Sequence, residues 1–353
     1  MIRPKLAAAA ALAALLTAPA LAWADWFPLR VNSTNADGAV VEADYVALPK
    51  AAQAWELCVS FPHLKDSFWL AANYGIIEEA RRLGVRAVVL DAGGFTQLNT
   101  QISQIENCVA GGAQAVIVGA ISQDGLGNLL AELRRKNIPV IDAFNGINSK
   151  DIGARSLTMP RDEGFRAGRY LAEKHPKGSK PVKVAWLPGP AGAGWVELFN
   201  NGFRDAIKDS AVEIAETKYG DTGKEVQARL IEDVLQAHKD IDYVSGTAVT
   251  AEAAVPVLRA RGLASKVKVV SVYLTPGVYQ GLKNKSIEAS NMAPVVLVGR
   301  IAVDQAVRLL EGKEVLRDVG PIGRMYTKDD VDTLSTDVVL APTGFKPVFR
   351  VGK

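Results

Sequence analysis

Short apolar runs alternate with stretches of helical period along most of this 353-residue chain, and the alternation is played through twice. In the first half, runs at 58–61, 87–91, 115–118 and 139–142 read as strands, with helical patterns over 68–82, 97–110 and 126–136 between them. Short apolar strands separated by helices of about 10–15 residues build βαβ units around a parallel sheet. The rhythm restarts with strands at 183–187, 213–217, 243–246 and 267–272, and helices near 162–175, 195–208, 223–238, 249–261 and 293–311. The expected class is α/β, with two doubly wound parallel-sheet units, each the size of an ordinary domain. Asn, Gly, Ser and Asp cluster between 141 and 160, where the two units meet. Gly84 and Gly111-Gly112 stand just past helix ends, where left-handed caps are needed. Residues 25–54 have weak periodicity and polar stretches such as VNSTNADGA, and are expected to form an irregular arm.

The start of the chain bears on its compartment. Arg3 and Lys5 precede an apolar run over 6–16, and small residues follow at Ala20, Ala22 and Ala24. A charged segment, a short apolar segment and an A-x-A site are the pattern of a secretory signal peptide, here over 1–24. The run is too short for an ordinary membrane span. The mature chain is expected in an exported compartment, best a bacterial periplasm. A net charge of +3 with scattered basic residues marks neither a nucleic-acid nor a membrane surface. The two cysteines, Cys58 and Cys108, are allowed one disulfide in that compartment; two buried thiols are the alternative.

Enzyme signatures are missing. The three histidines, His63, His175 and His238, have no companion in H-E-x-x-H, C-x-x-C or G-x-S-x-G patterns. No catalytic residue, metal or cofactor is expected. The turn from Gly189 to Gly194 follows a strand and opens a helix, yet Glu197 stands where a dinucleotide fingerprint needs glycine. It also lacks the Lys-Ser/Thr of a phosphate loop. A glycine turn that brings backbone near a small ligand is the better reading.

The aromatic residues say more. Phe68 and Trp69 open the first helix, Phe95 follows the second strand, and Phe144 follows the fourth. Trp195 opens a helix of the second unit, and Tyr273 follows the strand VVSV. All lie at or near the carboxyl ends of strands, where open α/β sheets bind ligands. Asp66, Arg161 and Asn291 are the expected polar members. Few charges among many rings suit a small ligand with an apolar or cationic body, because ring faces attract positive charge.

An exported chain of two doubly wound lobes resembles the periplasmic binding proteins of type 1, with a ligand cleft between the lobes. That fold implies lobe 1 over 55–160 plus 291–325 and lobe 2 over 161–290 plus 326–353, the third crossing falling near 289–293. Longer segments narrow the resemblance. LKDSFWLAANYG, EEARRLGV, DAGGF with QL after it, GFRAGRYL, PGP, NGFRDAI, GTAVTAEAA, VSVYLTPGVYQGLK and GFKPVF are similar to the TorT family of trimethylamine N-oxide sensors. The resemblance runs from Trp55 to Phe349 and includes both cysteine positions. It implies a non-enzymatic sensor whose partner is the periplasmic domain of a TorS-like membrane histidine kinase. It implies ligand contacts at Asp66, Phe68, Trp69, Phe95 and Tyr273. Phe68 and Phe95 stand where the family has tyrosine, so two hydroxyl donors are absent. Arg161 stands where the family has a cage tryptophan; it either donates to an oxyanion in the cleft or pairs with Asp162 or Glu163 outside it. Trp195 is a possible offsetting aromatic. The rival readings are the solute receptor of an importer for a sugar or small amine, and an exported enzyme with an assembled site.

Overall fold

The computed structural model describes residues 26–35 and 37–352; the expected signal peptide lies outside them. The chain enters through β1 (Leu29–Thr34) and β2 (Val40–Tyr45). The first alternation is β3 (Glu56–Phe61), α1 (Ser67–Leu83), β4 (Arg86–Asp91), α2 (Leu98–Ala110), β5 (Ala115–Val118), α3 (Gly127–Arg135), β6 (Val140–Phe144) and β7 (Ala154–Leu157). The second is α4 (Pro160–Lys174), β8 (Val182–Gly189), α5 (Gly194–Ile207), β9 (Val212–Tyr219), α6 (Lys224–Ala237), β10 (Tyr243–Gly246), α7 (Ala248–Ala260), β11 (Lys268–Ser271), α8 (Pro276–Lys283) and β12 (Ala289–Met292). The chain closes with α9 (Val295–Leu310), β13 (Asp318–Pro321), β14 (Arg324–Thr327) and β15 (Arg350–Val351).

Two sheets result. The first has the order β15-β4-β3-β5-β6-β7-β13-β1-β2, the second β14-β12-β11-β10-β8-β9. Strands β4-β3-β5-β6-β7 are mutually parallel, as are β9-β8-β10-β11-β12. Their inner strands are largely apolar, as strands covered on both faces tend to be: AVIV in β5 is buried at every position, while β3 and β6 carry buried Ser60 and Asp142. Helix α9 returns to pack on α1, so the first sheet's core includes Val296, Val303 and Val307 from far along the chain.

Two expectations are corrected. The arm over 25–54 is not irregular: β1 and β2 pair antiparallel, and β1 joins β13 at the sheet's edge. Val31 and Tyr45 are buried there, and the Tyr45 hydroxyl donates to buried Asp304 at 2.5 Å. The polar run hides this hairpin because buried Ser33 is itself polar and Asn35, Asp37 and Gly38 lie in the turn. The tail does not stay in the second lobe either. After β14 the chain crosses back, and β15 pairs β4 of the first sheet, Val351 opposite Ala87. Buried Asn73 on α1 clamps this return, its amide donating to the Val348 carbonyl at 2.9 Å and accepting from the Val348 amide at 2.8 Å.

Cys58 on β3 and Cys108 on α2 are bridged, their Cα atoms 6.1 Å apart. Helix α2 therefore lies fastened across the strand that leads into the first cleft loop.

Candidate functional site: an aromatic cavity between two switch points

The parallel part of each sheet reverses its strand order once. In the first, β4 lies to one side of β3 and β5 to the other; in the second, β9 and β10 flank β8 in the same way. Connections leaving such a strand run to opposite faces and open a crevice at its carboxyl end. Both crevices face one cavity, lined among others by Asp66, Phe68 and Trp69 past β3, Phe95 past β4, Phe144 and Asn145 at the end of β6, Trp195 past β8 and Tyr273 past β11.

The first wall is set by a helix cap. Asp66 has extended backbone, and its Oδ1 accepts from the amides of Phe68 at 3.0 Å and Trp69 at 3.2 Å. The cap starts α1 at Ser67 and so fixes both rings in its first turn. Trp69 is 3% exposed and lies edge-on to Phe144 at 5.5 Å and to Phe68 at 5.2 Å. Its six-membered ring rests on Gly119 just past β5: a Cβ there would stand 2.9 Å from Cη2 and Cζ3. Phe144 is a bulky residue at φ 72°. That left-handed backbone costs on the order of 1–3 kcal/mol and turns the ring back toward the cavity.

The second wall repeats the device. Trp195, in the first turn of α5, covers Gly189 at the end of β8, where a Cβ would lie 2.3 Å from the ring. Phe199 follows one turn later and meets Trp195 edge-on at 5.3 Å. Two contacts join the walls: Phe68 to Tyr273 at 5.3 Å and Phe95 to Trp195 at 6.0 Å. His63 backs the cage, its ring edge-on to Phe95 at 5.5 Å and Trp69 at 6.1 Å.

Three ionisable groups take their character from burial. Desolvation raises the Asp66 carboxyl above the usual range, against the pull of His63 and the two capping amides. His63 is lowered by its own desolvation, opposed chiefly by Asp66. Glu163 on α4 is 2% exposed and lines the cavity. Burial pushes it up to about 8, beyond what a hydrogen bond from Thr158 and the nearby Arg166 charge restore. Its Oε1 has no hydrogen-bond partner, and neither does the buried Trp195 Nε1.

Of the nine residues expected from the sequence, Asp66, Phe68, Trp69, Phe95, Phe144, Trp195 and Tyr273 meet at this cavity. Arg161 does not. It is half exposed on α4 and pairs with Asp205 of α5, neither reaching into the cleft nor meeting Asp162 or Glu163. The helix turns it outward: Pro160 and Glu163 face the cavity on either side of it. Asn291 is fully buried within β12 and also stays out of the lining. Sequence reasoning passed over Asn145, Thr158, Glu163, Phe199 and Thr222. Phe199 was within reach, lying one helical turn beyond Trp195. Glu163 was masked because a carboxylate in a first helical turn ordinarily reads as a surface complement to the helix dipole.

Comparisons with known proteins agree with this architecture. A family model described as periplasmic binding protein domain matches residues 57–314. Periplasmic protein TorT of Escherichia coli strain K12 is 39% identical over 301 residues, 85% of this chain and 86% of the relative. A solved solute-binding protein of an ABC transporter from Bradyrhizobium sp. BTAi1, with bound Bis-Tris, is 53% identical with a TM-score of 0.82, covering 92% of this chain and 99% of that one. A solved complex of TorT with the TorS sensor domain in the presence of trimethylamine N-oxide gives 33% identity and a TM-score of 0.75, covering 84% and 99%. The cage of switch-point aromatics thus sits in a chain that belongs to the periplasmic binding proteins, and among them to the TorT family of the periplasm.

Proposed function

We propose that this protein is a non-enzymatic ligand sensor that binds trimethylamine N-oxide, or a methylated amine of its size, and reports occupancy to the periplasmic domain of a TorS-like histidine kinase. The cavity carries this reading. Its lining is mostly aromatic with few charged groups, which suits a small ligand with an apolar or cationic body. Ring edges and faces from both walls surround the space, and desolvated ring–cation contacts are worth about 2 kcal/mol each. Asp66 supplies the one acidic group on the first wall. The TorT structure solved with TorS and trimethylamine N-oxide supports both ligand and partner.

The lobes are assigned as β1 to β7 with α9, β13 and the terminal strand in one, and α4 to β12 with β14 in the other. Signalling follows if ligand binds the closed arrangement better than the open one. Phe68–Tyr273 and Phe95–Trp195 span the two walls, so the cage is complete only when they are together.

The importer receptor is the second reading, favoured by the 53% identity to the Bradyrhizobium solute-binding protein. Bis-Tris is itself a protonatable tertiary amine, so ligand chemistry alone does not separate the readings; the partner does. Calorimetric titration with trimethylamine N-oxide is expected to show saturable binding, and Trp69→Ala to abolish it. Capture from detergent-solubilised membranes of the source organism should recover a histidine kinase. Recovery of a permease instead would overturn the sensor reading, and absence of binding would overturn the ligand.

A further inference from the structure

Two polar side chains of the cavity are left unpaired where pairing is most needed. Glu163 Oε1 and Trp195 Nε1 are both buried without a hydrogen-bond partner, and both residues line the cavity, one from α4 and the other from α5. Leaving a buried polar group unpaired costs about 1–3 kcal/mol, so two on one cavity call for a reason. The aromatic wall offers no hydroxyl at 68 or 95, and the Asn145 amide is committed to the Ala120 carbonyl at 2.8 Å. From this geometry we infer that Glu163 and Trp195 form the hydrogen-bonding end of the cavity, both donating to an oxygen acceptor on the bound ligand. The inference rests on the ligand reading above and adds its polar contacts.

An indole N–H is donor only. A carboxyl donates only while it holds its proton, and burial keeps Glu163 protonated up to about 8. An ionised Glu163 would instead repel an N-oxide oxygen. The two acids of the cavity are therefore divided by surroundings. Asp66 accepts from two backbone amides, whereas Glu163 Oε1 has no partner. Glu163 has only the Thr158 hydrogen bond and the Arg166 charge against its desolvation. Burial raises both, but only Asp66 is held by backbone amides, which favour a charged carboxylate. Asp66 faces the positive, methylated end of the ligand, and Glu163 faces its oxygen.

The charged and titratable groups around Glu163 come from several elements. Asp162 and Arg166 share its helix. The Arg161–Asp205 pair ties α4 to α5. Arg324 lies on β14, packed against α4, and is paired with Asp330. Across the cavity stand Tyr273, held protonated far above neutrality, and Asp66, with His63 behind it.

The test is calorimetric titration of trimethylamine N-oxide from pH 6 upward, on wild type, Glu163→Gln and Glu163→Leu. Wild-type affinity is expected to be level to about pH 8 and then to fall by up to tenfold per pH unit as Glu163 ionises. Glu163→Gln keeps an N–H donor, so it should bind within a few-fold at pH 7 and lose the fall. Glu163→Leu should lose about tenfold at pH 7, the equivalent of one hydrogen bond. A level wild-type profile, or the same fall in Glu163→Gln, overturns the Glu163 assignment and leaves the ligand reading intact. No binding of trimethylamine N-oxide at any pH overturns both.

Discussion

Gly119→Ala isolates the packing beneath Trp69 with a single methyl group. Gly119 does not require a left-handed backbone, so alanine carries no conformational penalty there. The new Cβ would lie 2.9 Å from two atoms of the Trp69 ring, against an ordinary contact of 3.4–4 Å. The ring must yield by about 0.5–1 Å. It cannot retreat, because Phe61 at 5.3 Å and Phe144 at 5.5 Å pack against it. It advances into the cavity, and a wall displaced by that much spoils a fit built for few heavy atoms. Overpacking of this kind costs about 1–3 kcal/mol of stability. A chain of this size should then lose about 1–4 °C of melting temperature. Affinity for trimethylamine N-oxide should fall at least tenfold. Differential scanning calorimetry reads the first effect and isothermal titration the second. Gly127→Ala is the control: its Cβ meets nothing within 4 Å, so it should leave affinity unchanged and, in the first turn of α3, not lower stability. If Gly119→Ala lowers stability but leaves affinity untouched, Trp69 is not a wall of the ligand site.

Three further outcomes follow from other parts of the structure. Arg161→Ala should leave ligand affinity within about twofold, since Arg161 pairs with Asp205 outside the cavity; a large loss by calorimetry would return Arg161 to the site. Cys58→Ser with Cys108→Ser opens a bridge that closes a loop of 50 residues, worth about 4 kcal/mol in the chain-entropy model. Guanidinium unfolding should show a loss of about 2–4 kcal/mol, while an unchanged midpoint would mean that the bridge contributes nothing. Stability should fall with rising pH, because buried Asp142 is raised to about 7 and Glu163 to about 8. Their contribution is fully present below the ordinary carboxyl range near pH 4, and is lost as pH rises through 7 and 8. Melting temperatures of Glu163→Gln should decline less steeply from pH 5 to 8.5 than those of wild type.

The legible part of this protein was whatever repeats along the chain. Strand and helix alternation exposed both sheets, because inner strands covered on two faces are mostly apolar runs, as in β5. The aromatic residues were legible for a related reason: rings just past strand ends have no core of their own to fill. What stayed hidden depends on partners distant in sequence. The β1–β2 hairpin gains its buried face only from α9 and β13, through Val31, Ile301 and Val319. The tail strand is recognisable only once Asn73 and β4 are in place. Arg161 and Glu163 stand two positions apart in one helix, and the sequence does not say which faces inward. Their exchange between surface and cavity is decided by how α4 packs on α5.

The cavity and the closure between the sheets share their parts. Phe68 and Tyr273 meet across the cleft, and so do Phe95 and Trp195, and all four rings line the ligand space. Aromatic pairs contribute about 0.5–1.5 kcal/mol beyond their area. Two such pairs bias closure by about 1–3 kcal/mol. A ligand that contacts both walls adds its full contact energy to the closed state and only one wall's share to the open one. That difference is what a sensor can transmit, since a ligand shifts an equilibrium only by its differential affinity. The unpaired Glu163 and Trp195 sharpen the difference. Both sit on the second wall, so an oxygen held there and a methylated nitrogen held against Trp69 require both walls at once. A ligand lacking either end should bind one wall and leave the signal off.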